Sequence, residues 1–116
     1  MAILYTSYFG KLRQIMANNI VPIGIVRFAP KYFSGINYIA LAPNANMLKM
    51  SKNEYEYNYD LILKKLNPYE VYNELLSFGN GKDVAILCYE KNILECHRLL
   101  VAKWFQKELE YNIQEF

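Results

Sequence analysis

The sequence predicts an α/β layer fold with a mainly parallel sheet, built as one domain over residues 1–116. Two apolar runs, Ile20–Phe28 and Val84–Tyr89, lack the polar alternation of a half-wet strand. Such runs suit strands buried on both faces, as parallel strands are. The elements read in the order strand, helix, strand, loop, two helices, strand, helix, an alternation typical of α/β layers. Composition agrees: 53% of 116 residues are hydrophobic and 21% charged. A chain of this size buries roughly two thirds of its unfolded surface, enough for a core without staples.

Each element has a local reason. Ala2–Tyr5 is a short apolar start that can form a strand. Thr6 or Ser7 can cap a helix over Tyr8–Met16, since a hydroxyl accepts free N–H groups of a first turn. The strand at Ile20–Phe28 requires Pro22 near its start or on an edge. Residues 29–46 hold two prolines and one glycine and read as a long loop, with Tyr38–Leu41 as an extra strand candidate. Tyr55, Tyr59, Ile62 and Leu66 recur on one stripe of a helix over Asn53–Leu66. Asn67 and Pro68 restart a helix that ends at Gly79. Asn92, with Glu95 as its capping-box partner, is expected to open the last helix, which buries Leu100, Val101, Trp104 and Phe105.

Charge and composition exclude several classes. There are 13 Lys+Arg and 11 Asp+Glu, a net charge of +2. That is too small to argue for duplex nucleic acid or a membrane surface. No run approaches the ~20 apolar residues of a membrane span. With two cysteines and no secretory leader, the expected location is cytoplasmic and reducing. The abundance of Tyr, Asn, Lys and Ile matches an AT-rich bacterial or phage genome.

In open parallel sheets, ligands bind beyond the carboxyl ends of the strands. Three segments bring polar groups there. The first strand runs into Tyr5, Thr6 and Ser7. The second ends at Arg27, whose guanidinium can clamp an anion or pair with Glu90. The third ends at Cys88, Tyr89 and Glu90 and leads to Cys96, His97 and Arg98. Cys88 reads as a nucleophile or a buried inert thiol. Glu90 reads as a general base or a ligand contact. His97 falls on the stripe of Leu100, Val101 and Trp104. It is therefore either a packed histidine bonded to a carbonyl or a pocket acid or base. Arg98 can hold an anion at the helix start or form a salt bridge to the long loop or to Glu90. Cys88, Cys96 and His97 match no structural zinc spacing, so no metal is expected. A Cys88–Cys96 disulfide is geometrically open but disfavoured in a reducing compartment. No cofactor motif is present: there is no P-loop and no GxGxxG. Glu54–Asp60 reads EYEYNYD, either a stacking platform for bases or the tyrosine face of an amphipathic helix.

The segment ILCYEKNILECHRLLVAKWF, residues 86–105, resembles the C-terminal signature of the domain-of-unknown-function 488 family. That signature is a strand ending in cysteine, an acidic-basic pair, and Cys-His-Arg opening a helix. IVRFAPKYFSGINYIALAP, residues 25–43, is similar to its strand, Arg, Pro turn and Leu-Ala-Pro, and the YTSYFGKL start also fits. Ala29 and Tyr32 depart from the family's frequent proline and tryptophan. The resemblance implies a small Rossmann-like, three-layer α/β domain without an established activity. It draws attention to Arg27, Cys88, Glu90, Cys96, His97 and Arg98.

The resulting expectation is a binding protein for an anionic, nucleotide-like small molecule, in a phage one that sequesters a nucleotide signal. Arg27 and Arg98 hold the charge, and Cys96, Tyr5, Ser7 and Tyr32 complete the site. An alternative is an enzyme acting on a nucleoside, nucleotide or base, with Glu90, Cys88 and His97 as catalytic groups. A third is a homodimeric interaction module built on the tyrosine-rich surface.

Overall fold

The computed structural model describes residues 2–92 and 96–116. Its sheet contains β1 (Leu4–Tyr8), β2 (Val21–Gly24), β3 (Ile36–Asn37), β4 (Val84–Cys88) and β5 (Gln114–Glu115). The spatial order is β3-β2-β4-β1-β5, and every pairing is parallel. The helices are α1 (Leu12–Ala17), α2 (Lys52–Lys64), α3 (Pro68–Ser77) and α4 (His97–Leu109). The chain steps one way from β1 to β2 and β3. It then returns to insert β4 between β2 and β1 and finishes with β5 outside β1. Right-handed crossovers in opposite directions place helices on opposite faces of a sheet. Accordingly α2 and α3 pack on α4, while α1 packs beside β2. This is a Rossmann-like three-layer α/β domain.

The centre of the sheet is β4. All five of its residues, Val84 to Cys88, are fully buried. It has no wet face, which is why its sequence does not alternate. β2 is also internal yet contains Pro22, which has no N–H. Val21 and Ile25 donate to Asp83 and Leu87 on the β4 side, so position 22 faces the β3 side. There β3 pairs only from Ile23 onward, and no ladder bond is lost.

Several expectations change. β1 continues through Thr6 and Ser7 to Tyr8, so neither hydroxyl caps a helix. A 3-10 turn over Phe9–Lys11 leads into α1 instead. β2 stops at Gly24, because Ile25–Phe28 leave the sheet. Tyr38–Leu41 is not a strand: the short strand is Ile36–Asn37, followed by a 3-10 turn. The N-cap of α2 is Ser51, whose Oγ accepts from the Glu54 N–H at 3.3 Å while Glu54 reaches back to it. α4 begins at His97 with Cys96 at the N-cap. Asn92 lies in a bend, and Glu95 falls outside the described residues. β5 was not foreseen.

Within EYEYNYD, Tyr59 is buried and donates its O–H to the Leu41 carbonyl at 2.6 Å. Tyr55 packs on it with rings 6.3 Å apart, while Tyr57 faces solvent. The tyrosines therefore form a helix face that packs inward, not a platform. No described helix is long and apolar enough to cross a membrane.

Because Ile86 sits fully buried between β1 and β2, Ile86→Ala is expected to cost about 2–5 kcal/mol. Urea unfolding reads this directly, and a loss below about 1 kcal/mol would contradict the central placing of β4.

Candidate functional site

The site forms where β2 and β4 end. After Gly24 the chain turns off the sheet, and the Asn37 side chain braces the turn. Its Oδ1 accepts from the Val26 N–H at 3.2 Å, and its Nδ2 donates to the Val26 carbonyl at 2.7 Å. A Cβ at position 24 would stand 2.5 Å from Asn37 Oδ1, so glycine is needed for that brace. On the other side, Tyr89 donates its O–H to the Phe28 carbonyl at 2.5 Å. These bonds hold Val26, Arg27 and Phe28 along one wall of a cavity of about 920 Å³.

α2 and α4 also line it, through Tyr55, Cys96, His97 and Lys103, together with Met47 and Met50. Most of the surface is aliphatic, aromatic or thioether. Arg27, Lys52 and Lys103 bring positive charge to it, and Glu56 and Glu90 bring negative charge. Among the described residues no carboxylate pairs with Arg27. Its guanidinium lies 5.0 Å from the Phe28 ring centre. A second, smaller depression of about 360 Å³ between α2 and α4 mixes acids and lysines in near balance.

His97 is buried, and its Nε2 lies 2.5 Å from the Ile25 carbonyl. A carbonyl only accepts, so the proton sits on Nε2. Nδ1, 3.9 Å from Cys96 Sγ, is then the lone-pair nitrogen. Burial pushes the imidazole down to about 4. The Ile25 bond works against that shift and the Arg98 charge adds to it. The ring is therefore neutral at pH 7, and its bond ties α4 to the end of β2. Beside it, burial and then the Glu90 charge push the Tyr55 hydroxyl up to about 12.

Arg98 is placed differently from Arg27. It is fully buried and absent from the cavity wall. Nε and Nη2 fork onto the Glu115 carboxylate, with the closest contact at 2.8 Å. Nη1 donates to the Glu90 carbonyl at 2.5 Å and to Cys88 Sγ at 3.2 Å. Nη2 also reaches the Lys91 carbonyl at 3.0 Å. All five donors are taken. Of its two sequence readings, the salt bridge is the one seen, with Glu115 as its acid.

The sequence candidates thus divide. Arg27, Glu90, Cys96 and His97 meet on one cavity. Cys88 and Arg98 lie behind it. Tyr5 packs its ring 5.7 Å from that of Phe116, and Tyr32 is exposed and not part of the cavity lining. Ser7 Oγ is buried with no hydrogen-bond partner among the described residues. Cys88 and Cys96, whose pairing is disfavoured on compartment grounds, are placed with their sulfurs at bonding distance and their Cα atoms 6.9 Å apart. The ligand-type atoms of Cys88, Cys96 and His97 lie within 4.8 Å of one another. Sequence reasoning missed Lys103 and Lys52, while Tyr55 belongs to the tyrosine segment it had singled out. Lys103 was findable, since His97, Leu100 and Lys103 recur at helical spacing.

Two outcomes follow from the buried ionisable groups. His97 is neutral when folded and titrates near 6.5 when unfolded, so the unfolded state binds more protons between those values. Its contribution is fully present above pH 6.5 and is lost as pH falls towards 4, by about 3 kcal/mol. Urea midpoints at about pH 7 and pH 4.5 should converge less in wild type than in His97→Gln. An equal drop in both proteins would refute this. Arg98→Met should cost about 1–3 kcal/mol, chiefly by leaving the Glu90 and Lys91 carbonyls without their donor while Glu115 keeps its contact with solvent, seen as a fall in Tm. An unchanged Tm would show that the buried pair is dispensable. No protein-family model, no curated protein and no solved structure matches this chain.

Proposed function

We propose that this chain binds an anionic, nucleotide-like small molecule in the cavity at the carboxyl ends of β2 and β4. The observation that carries this reading is Arg27: a cation without a carboxylate partner among the described residues, on the wall of an otherwise largely apolar cavity. A guanidinium can fork onto a phosphate or carboxylate. Lys103 and Lys52 add charge to the same space, and Tyr55 and Tyr89 offer ring surface for a planar group. At about 920 Å³ the cavity is at the upper end of the range for small-molecule sites. Arg98 supports the fold rather than the ligand. Sequestration of a nucleotide signal is the role this reading suggests.

Turnover is the competing reading. Glu90 lies exposed at the rim, and His97 is neutral and held by a backbone bond, which leaves little acid–base machinery inside.

Calorimetric titration against a panel of mono-, di- and cyclic nucleotides tests the proposal. Arg27→Ala should weaken binding by about tenfold or more with Tm unchanged, the loss of one charge-assisted contact. Ligand recovered intact after release supports a binder, and a chemically altered ligand supports an enzyme. Equal affinity of wild type and Arg27→Ala would overturn the assignment of Arg27.

A further inference from the structure

Both cysteines are buried, but only one borders the cavity. Cys96, at the N-cap of the 13-residue α4, is part of its lining, whereas Cys88 lies behind it at the end of β4. The sulfurs lie at bonding distance from each other, and Arg98 Nη1 donates to Cys88 Sγ at 3.2 Å. We propose that Cys88–Cys96 is a redox-active disulfide that exchanges with small thiols entering the cavity, with Cys96 as the attacked sulfur and Cys88 as the leaving and resolving one.

The direction of attack follows from access and charge. An incoming thiolate reaches only Cys96 Sγ from the cavity. Its sulfur forms a new S–S bond to Cys96 as the Cys88–Cys96 bond breaks, and the electron pair leaves on Cys88 Sγ. A guanidinium beside a sulfur favours the thiolate, and a leaving thiol with lowered pKa departs faster. A second small thiolate then attacks the mixed disulfide. It releases the oxidised small-molecule disulfide and leaves Cys96 as a thiolate at a helix N-terminus, a favourable place for negative charge. The sum is two thiols oxidised and one protein disulfide reduced, so electrons balance. In reverse, Cys88 resolves the mixed disulfide on Cys96. The neutral His97 beside Cys96 adds no charge that would bias attack elsewhere. This inference shares the cavity with the proposed ligand but does not depend on a nucleotide being bound there.

The test uses the whole chain and glutathione as probe. Wild-type protein is equilibrated in reduced and oxidised glutathione buffers, quenched in acid, alkylated and weighed intact. Both thiols should appear and disappear together, as a two-electron couple. In Cys88→Ser, oxidised glutathione should add one glutathione to Cys96, located by peptide mass. In Cys96→Ser, Cys88 should react at least about tenfold more slowly. If either variant fails to fold, partial alkylation of reduced wild type reads the same asymmetry, with Cys96 labelled first. Two thiols that stay free at every buffer ratio, a metal ion retained on them, or faster labelling of Cys88 would each overturn the proposal.

Discussion

A buried guanidinium organises this domain. Arg98 has no exposed surface, and a charge cannot be left there without partners. From the start of α4 its donors reach three parts of the chain: the end of β4 at Cys88, the carbonyls of Glu90 and Lys91, and the C-terminal strand through Glu115. Glu115 Oε1 in turn accepts the Thr6 hydroxyl of β1 at 2.6 Å. The Tyr8 ring lies 5.6 Å from the guanidinium carbon. One side chain therefore fixes how β1, β4, β5 and α4 meet. A strand of only two residues, β5, holds its place partly because this ion pair anchors it.

That anchoring determines what is left for a ligand. With Arg98 consumed inside the structure, the cavity's own charge falls to Arg27, Lys52 and Lys103. Around Arg27, Asn37 and Tyr89 satisfy the backbone of Val26 and Phe28, and among the described residues no carboxylate pairs with the guanidinium. The two arginines stand at similar positions, just past strand ends. Their different fates come from whether a carboxylate arrives from elsewhere in the fold.

The same geometry separates the sulfurs. Cys88 ends a strand that has no wet face, so it is shielded on all sides. Cys96 is the N-cap of a helix that borders the cavity and therefore meets whatever enters it. A disulfide between two such positions has one approachable end, and the guanidinium sits at the other.

Local sequence determined much of this protein. The unalternating runs Val84–Tyr89 and Ile20–Phe28 pointed to strands buried on both faces, because a parallel sheet covered by helices leaves no face for polar side chains; the strands form over Val84–Cys88, buried throughout, and Val21–Gly24, buried at its end. The periodicity of α2 and α4, and the Asn67-Pro68 start of α3, set the helices, since capping and helical spacing act within a few residues. The placing of ligands at the carboxyl ends of strands named nine candidate residues, of which Arg27, Glu90, Cys96 and His97 share a cavity and Tyr5, Ser7, Tyr32, Cys88 and Arg98 are not in its lining. What the tertiary structure alone decided were the long-range pairings. Glu115 meeting Arg98, the Asn37 brace on Val26, and Lys52 facing the same space as Lys103 join residues far apart in sequence. No local signal carries them, because such contacts are made by the strand order and not by the neighbours of each residue. Two-residue strands such as β3 and β5 are likewise too short for a period of two to show. Whether an arginine at a strand end becomes a scaffold or stays free for a ligand rests on those distant partners alone.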